Sequence, residues 1–221
     1  MAINIAIDGP AGAGKSTIAK KIASKYSFIY VDTGAMYRTM ALFYLRQGTD
    51  VTDEAAVSAL CEEIKVEIQY IGGTQHLVLN GEDVTGLIRT EEVGNTASKI
   101  SVYSAVRAKL VSLQKELAKT NDVVMDGRDI GTVVLPDARV KIYLTASVET
   151  RAKRRFDELV EKGETPDIKV IEEDIRTRDE RDMTREISPL KKADDAVEVD
   201  SSTMTIDQVV DAISDVIEDR L

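Results

Sequence analysis

The sequence predicts an α/β fold, a P-loop core whose parallel sheet is covered by helices, with an inserted lobe of antiparallel strands and a short mobile lid. Three observations predict it. Short apolar runs alternate with amphipathic helical stretches along most of the chain. A glycine-rich loop, Gly9-Pro10-Ala11-Gly12-Ala13-Gly14-Lys15-Ser16, stands between the first strand-like run and the first helical one. Two strand-like runs, 64–71 and 76–79, flank Gly72-Gly73-Thr74-Gln75 in the manner of a hairpin.

Taken in order, the alternating run 2–7 reads as a strand, and 17–26 as a helix with Ile18, Ala19, Ile22 and Ala23 on one face. A short strand at 28–31 and a helix at 34–46 follow. The hairpin comes next, then buried strands at 123–125 and 140–144, a last short strand at 196–199 and a terminal helix from Thr205. An antiparallel hairpin does not fit inside a parallel run, so residues 65–99 are assigned to an inserted lobe. Residues 1–64 and 100–221 then form the core, with the lid at about 151–166.

Composition excludes several classes. At 221 residues and 43% hydrophobic the chain can bury one substantial core. No apolar run approaches the roughly 18 residues of a membrane span, and the N-terminus enters a strand directly, so a soluble cytoplasmic protein is expected. One cysteine, Cys61, and one histidine, His76, leave neither an internal disulfide nor a Cys/His metal cluster. The formal charge of −10 argues against a nucleic-acid track, so any anionic substrate must meet a few locally placed arginines.

The loop from Gly9 to Ser16 is a phosphate loop in the required setting. Its backbone N–H groups and the start of the helix supply donors and partial positive charge for a polyphosphate. Lys15 would reach the β and γ phosphates of a nucleoside triphosphate, and the Ser16 hydroxyl would join the coordination of Mg²⁺. Thr17 and, from the lid, Arg154 complete the expected nucleotide contacts.

A second motif, Asp32-Thr33-Gly34-Ala35-Met36-Tyr37-Arg38, follows the second strand at the carboxyl end where open α/β sheets bind ligands. Asp32 or Thr33 could cap the next helix. Arg38, in the first helical turn, opposes the helix macrodipole and calls for an anionic partner, either a substrate phosphate or a surface carboxylate.

A third motif, Met125-Asp126-Gly127-Arg128-Asp129, ends another buried strand. Asp126 stands where a carboxylate can hold Mg²⁺ or its waters, and Arg128 and Asp129 point to the same crevice. A turn in which Arg128 and Asp129 neutralise each other is the structural alternative.

The fourth signal is periodic. Ile168, Ile171 and Ile175 mark a helical stripe that continues into Arg178, Arg181, Asp182 and Arg185. It is either a solvated helix end or a helix that lines an anion-filled cleft. Arg151, Lys153, Arg154 and Arg155 open the preceding helix, and Gly163 and Pro166 break the chain between the two, as a lid requires. Donor and acceptor phosphates ringed by cations predict phosphoryl transfer, with Lys15, Arg128, Arg181 and Arg185 as the catalytic candidates.

The sequence closely resembles the bacterial cytidylate kinases. The residues that carry the resemblance are the phosphate loop, V-D-T-G-A-M-Y-R from Val31, N-T-A-S from Asn95, D-G-R-D-I-G-T-V-V-L-P-D-A from Asp126, and R-D-E-R-D-M-T-R with Pro189-Leu190 and Ala193-Asp194. The resemblance implies phosphoryl transfer from ATP to CMP or dCMP, with the inserted lobe forming part of the CMP site. It implies that Thr33, Tyr37, Arg38 and Arg128 surround the acceptor, that Ser98, Arg107 and Asp129 read cytosine, and that Arg178, Asp182 and Arg185 serve the sugar and phosphates. Cytosine offers an N4 donor beside N3 and O2 acceptors, which a carboxylate beside arginine or serine donors would match. A kinase for UMP, AMP or shikimate is the alternative, and a P-loop nucleotide switch a more distant one, since no N-K-x-D string is present. Partners other than nucleotides are not expected, and the expected state is a monomer.

Overall fold

The computed structural model of the protein describes residues 2–221. The chain divides into two compact units, Met1–Tyr30 with Asn121–Leu221 and Val31–Thr120.

The first unit carries the parallel sheet. Strands β1 (Asn4–Asp8), β2 (Ile29–Asp32), β6 (Val123–Gly127), β7 (Val140–Thr145) and β8 (Val197–Asp200) lie in the order β2-β6-β1-β7-β8. Strand β2 crosses the division between the units. The register pairs Asp8 with Gly127 and Tyr143, which brings the carboxyl ends of β1, β6 and β7 level. Helices α1 (Lys15–Tyr26) and α8 (Ile206–Arg220) share one core with Ile5, Ile7, Val124, Ile142 and Leu144 through Ile18, Ile22, Val209, Ile213 and Ile217. Thr205 and Gln208 close a capping box that starts α8. The predicted first strand begins two residues later than its apolar run.

Between β7 and β8 stand α6 (Val148–Glu161) and α7 (Ile168–Thr184), joined through Gly163 in a left-handed conformation. Ser147 and Asp167 cap them, each accepting a backbone N–H of the first turn.

The second unit holds α2 (Thr33–Gln47), α3 (Glu54–Leu60), α4 (Glu91–Ile100), α5 (Ser104–Thr120) and a three-stranded antiparallel sheet of β3 (Val66–Ile71), β4 (Thr74–Leu79) and β5 (Glu82–Asp83). The hairpin turn is two residues, shorter than the sequence reading. Gly72 and Gly73, both at positive φ, make it alone, and Thr74 pairs with Ile71. Two such residues form the turn whose twist matches the strands, so Thr74 and Gln75 join β4. Gln75 is buried and caps the end of β2, its Oε1 accepting the Asp32 N–H at 2.8 Å. Cys61 is buried, and His76 sits on β4 with Nδ1 2.7 Å from Asp83. Among the described residues no helix is long and apolar enough to cross a membrane.

Candidate active site

In the first unit the phosphate loop follows β1 directly. Gly9 is held at φ +149, and a Cβ there would lie 1.9 Å from the Leu144 carbonyl oxygen, so only glycine fits. Gly14 opens α1 with no side-chain cap, which leaves the first N–H groups of the helix available to a ligand. Lys15 folds back along the loop and donates to the Pro10 carbonyl at 2.7 Å. Burial, and then the Arg128 guanidinium, push its ammonium well below the usual lysine range. Arg151 braces the loop from behind. It is buried and donates to the carbonyls of Ala146 at 2.9 Å and Ala11 at 3.0 Å, and its remaining nitrogen pairs with Asp179 at 2.7 Å.

Asp126, at the end of β6, accepts the Ser16 hydroxyl at 3.0 Å and the Tyr30 hydroxyl at 2.8 Å. The two predicted metal ligands are therefore adjacent. Both are hard oxygen donors, the type that Mg²⁺ takes in ones and twos while keeping waters and phosphate oxygens as its other ligands. Among the described residues no cluster of three or more His, Cys, Asp or Glu could hold a metal.

The loop after β6 does not neutralise itself. Arg128 Nε donates to Asp182 Oδ2 at 2.8 Å, while Arg185 Nη2 lies 3.8 Å from Asp129 Oδ1. All four side chains are largely buried. Burial disfavours the Asp182 charge, but Arg128 outweighs it and holds the carboxyl below its usual range. In turn Asp182 holds Arg128 protonated against the same desolvation.

The periodic stripe on α7 resolves differently from its sequence reading. Its buried polar positions are the carboxylates Asp179 and Asp182, each holding an arginine from another element; Arg178 is half-buried and Arg181 is exposed. Arg185 lies past the helix as its C-cap, with ψ at 141°, and turns back to donate to the Ser188 carbonyl at 2.6 Å. The basic cluster on α6 is likewise divided. Arg151 braces the loop, Arg154 donates to the Ser201 carbonyl at 2.8 Å, and Lys153 and Arg155 pair on the surface with Asp157 and Glu158. Arg154 still borders the loop, since a Cβ on Gly14 would lie 3.9 Å from its Nη1.

Asp8 is a site residue that the sequence reading missed. Its carboxylate accepts the N–H groups of Ile130 at 2.8 Å and Gly131 at 2.7 Å, which pins the turn immediately after Arg128 and Asp129. An acidic residue closing an apolar strand just before the loop was the available signal. Burial outweighs those hydrogen bonds and raises its pKa from 3.8 to about 6. The folded state thus binds more protons than the unfolded one between those values, so stability falls as pH rises through that window. Asp8→Asn is expected to abolish this component. The difference in unfolding free energy between wild type and variant should change by roughly 3 kcal/mol between pH 3.5 and pH 7 in denaturant titrations. A difference that stays constant across that range would show that Asp8 ionises normally.

The second unit has its own polar cluster. Asp32, not Thr33, caps α2, its Oδ1 accepting the Ala35 N–H at 2.8 Å. Its Oδ2 takes Arg38 Nη2 at 3.0 Å and Arg89 Nη2 at 3.4 Å. The anionic partner demanded by Arg38 is thus a carboxylate of the chain, and Arg38 falls in the second turn of α2 because the helix begins at Thr33. Arg38 Nε is buried without a hydrogen-bond partner. Thr33, Ser98 and Arg107 are buried; Arg107 lies 5.9 Å from the centre of the Tyr37 ring and donates to the Ser101 carbonyl at 3.2 Å.

Chains of the same fold include a gluconokinase from Sinorhizobium meliloti, 13% identical with a TM-score of 0.51, 99% of this chain and 93% of that one being covered. A shikimate kinase from Bacteroides thetaiotaomicron is 14% identical with a TM-score of 0.50 and 98% of each chain covered. The sequence relatives are far nearer. The cytidylate kinase of Bacillus licheniformis is 51% identical over 217 residues, 98% of this chain and 96% of its own. That of Lactobacillus gasseri is 51% identical over 218 residues, 99% and 95% of the two chains. A sequence model of the family described as cytidylate kinase matches residues 5–219. With a phosphate loop, its adjacent serine and aspartate, and half of all residues shared along the whole length, the chain belongs to the cytidylate kinase family.

Proposed function

We propose that this protein transfers the γ-phosphoryl group of ATP to CMP or dCMP, giving ADP and CDP or dCDP. The observation that carries the reading is the identity of about half with cytidylate kinases over essentially the full chain. The phosphate loop and its buried lysine are the machinery that such a transfer needs.

In this reading the loop from Gly9 to Ser16, with Thr17 and Arg154, holds ATP. Ser16 and Asp126 would hold Mg²⁺, which supplies charge neutralisation on the bridged phosphates. Tyr30 fixes the orientation of Asp126 through its hydroxyl. Lys15 donates to the β and γ phosphates, exchanging the Pro10 carbonyl for a stronger acceptor. Arg128, Arg181 and Arg185 are proposed at the transferring group, where a loose transition state spreads charge over its oxygens. Asp182 keeps Arg128 charged and aimed. Thr33, Tyr37 and Arg38 serve the acceptor, Ser98, Arg107 and Asp129 its base, and Arg178 with Asp182 its sugar. The acceptor attacks through a phosphate oxygen that is already ionised, so no general base is required. The segment 65–99 is proposed as the CMP-binding lobe and 151–166 as the lid. The reading carries with it a cytoplasmic monomer acting on free nucleotides, and the formal charge of −10 speaks against a nucleic-acid track.

A coupled assay of ADP formation with CMP, dCMP, UMP, AMP and shikimate tests this. CMP or dCMP should exceed the other acceptors in kcat/KM by at least ~100-fold, because a buried site built for one hydrogen-bonding edge leaves groups unpaired with another. Faster turnover of UMP, AMP or shikimate would replace the proposed acceptor.

A further inference from the structure

The Asp32 cluster holds one arginine that neither the sequence motifs nor the proposed function uses. Arg89 precedes Thr90, the N-cap of α4, and lies on the same carboxylate oxygen as Arg38. The two contacts differ in kind. Arg38 is mostly buried and its Nη2 is 3.0 Å from Asp32, whereas the Arg89 side chain is 61% exposed and its Nη2 is at 3.4 Å. One carboxylate, itself buried and already spent as a helix cap, thus faces two guanidinium groups, and the trio keeps a net positive charge. Arg38 Nε adds a buried donor with no acceptor. An excess of cation and a buried donor without an acceptor at one place suit the binding of an anion.

We infer that Arg89 is a substrate-binding residue, which swings from Asp32 onto the acceptor phosphate beside Arg38. This rests on the reading of the acceptor as a nucleoside monophosphate and adds a residue to it. Two guanidinium groups that converge on one oxygen atom are spaced to converge on one phosphate, with Asp32 holding both until the ligand arrives. The exposed stem of Arg89 makes the exchange easy, because a long, solvated ion pair binds weakly. A dianionic phosphate offers more charge than the shared carboxylate oxygen, and its geometry suits the guanidinium fork. Arg38 is the fixed element of the pair and Arg89 the mobile one.

The test compares CMP with cytidine, which has the same base and sugar without the phosphate. For Arg89→Ala, KM for CMP should rise at least tenfold while KM for ATP and the competitive inhibition constant of cytidine stay within twofold of wild type. Arg89→Lys, which keeps charge and loses the fork, should recover only part of the CMP loss. Unchanged CMP kinetics, or equal losses for CMP and cytidine, would overturn the inference, the second because it would make Arg89 a support of the lobe. Both readouts presuppose a wild-type enzyme that phosphorylates CMP. If wild type does not, the functional reading fails, and that is scored separately by the acceptor panel. Circular dichroism of each variant shows whether it is folded; should Arg89→Ala prove unfolded, Arg89→Gln takes its place under the same criteria.

Discussion

Lys15→Met is expected to lower kcat at least about a hundredfold, equivalent to ~2.7 kcal/mol of transition-state stabilisation, without lowering thermal stability. The two halves of this expectation have one cause. The ammonium is buried against the Pro10 carbonyl and its charge is disfavoured there by desolvation and by Arg128. Methionine fills similar volume with no charge to bury, so folding loses little and can gain. In the proposed function the phosphates of a bound nucleotide would offset the burial; without them the lysine is a cost to the fold. Steady-state assays beside thermal melts in the absence of nucleotide check this. A variant with turnover within tenfold of wild type, or one that melts much earlier, would contradict this account.

Arg185→Met should reduce kcat by about a thousandfold if the arginine meets the transferring phosphoryl group, the scale typical of one arginine acting on that charge. The sequence reading, which placed Arg185 on a helical face, would also predict no loss of stability. The structure predicts otherwise. Its side chain is only 4% exposed, holds the Ser188 carbonyl and faces the buried Asp129. Removing it takes a buried donor from the Ser188 carbonyl and a nearby positive charge from Asp129, at a cost of ~1–3 kcal/mol. The catalytic loss must therefore be measured well below the midpoint of the variant, with the folded fraction determined from denaturant titration. Turnover near wild type once the chain is folded would make Arg185 a structural clamp on Asp129.

Much of this molecule was legible from local sequence. The phosphate loop needed only its glycines, its lysine and its place between an apolar run and an amphipathic helix, because backbone conformation and hydrogen bonding over eight residues decide its shape. The stripe Ile18, Ala19, Ile22 and Ala23 likewise announced the buried face of α1. The departures are local too. The strand-like runs end at Ile71 and resume at His76, which predicts a four-residue turn, and the cross-strand pairing that recruits Thr74 and Gln75 cannot be read from composition. Periodicity extends α7 to Arg185 because it carries no stop signal there; the helix ends at Thr184.

The alternating strands and helices around the phosphate loop, the loop itself and the family resemblance were determined by the sequence, since each depends on residues close together in the chain or on motifs preserved whole, whereas α4 and α5 were not read from it. Charge pairing was decided only by tertiary structure. Arg128 finds Asp182 across 54 residues, and the Asp8 carboxylate accepts the Ile130 N–H across 122. Periodicity tells which side of an element a charge occupies, but not which opposite charge a neighbouring element will bring to it. The obvious neighbours Arg128 and Asp129 could therefore be read as partners when each in fact faces a residue of the α7 end. Desolvation makes that choice consequential: a buried carboxylate must be matched, so bringing the loop after β6 to the end of α7 selects the pairs that set the charge of the site.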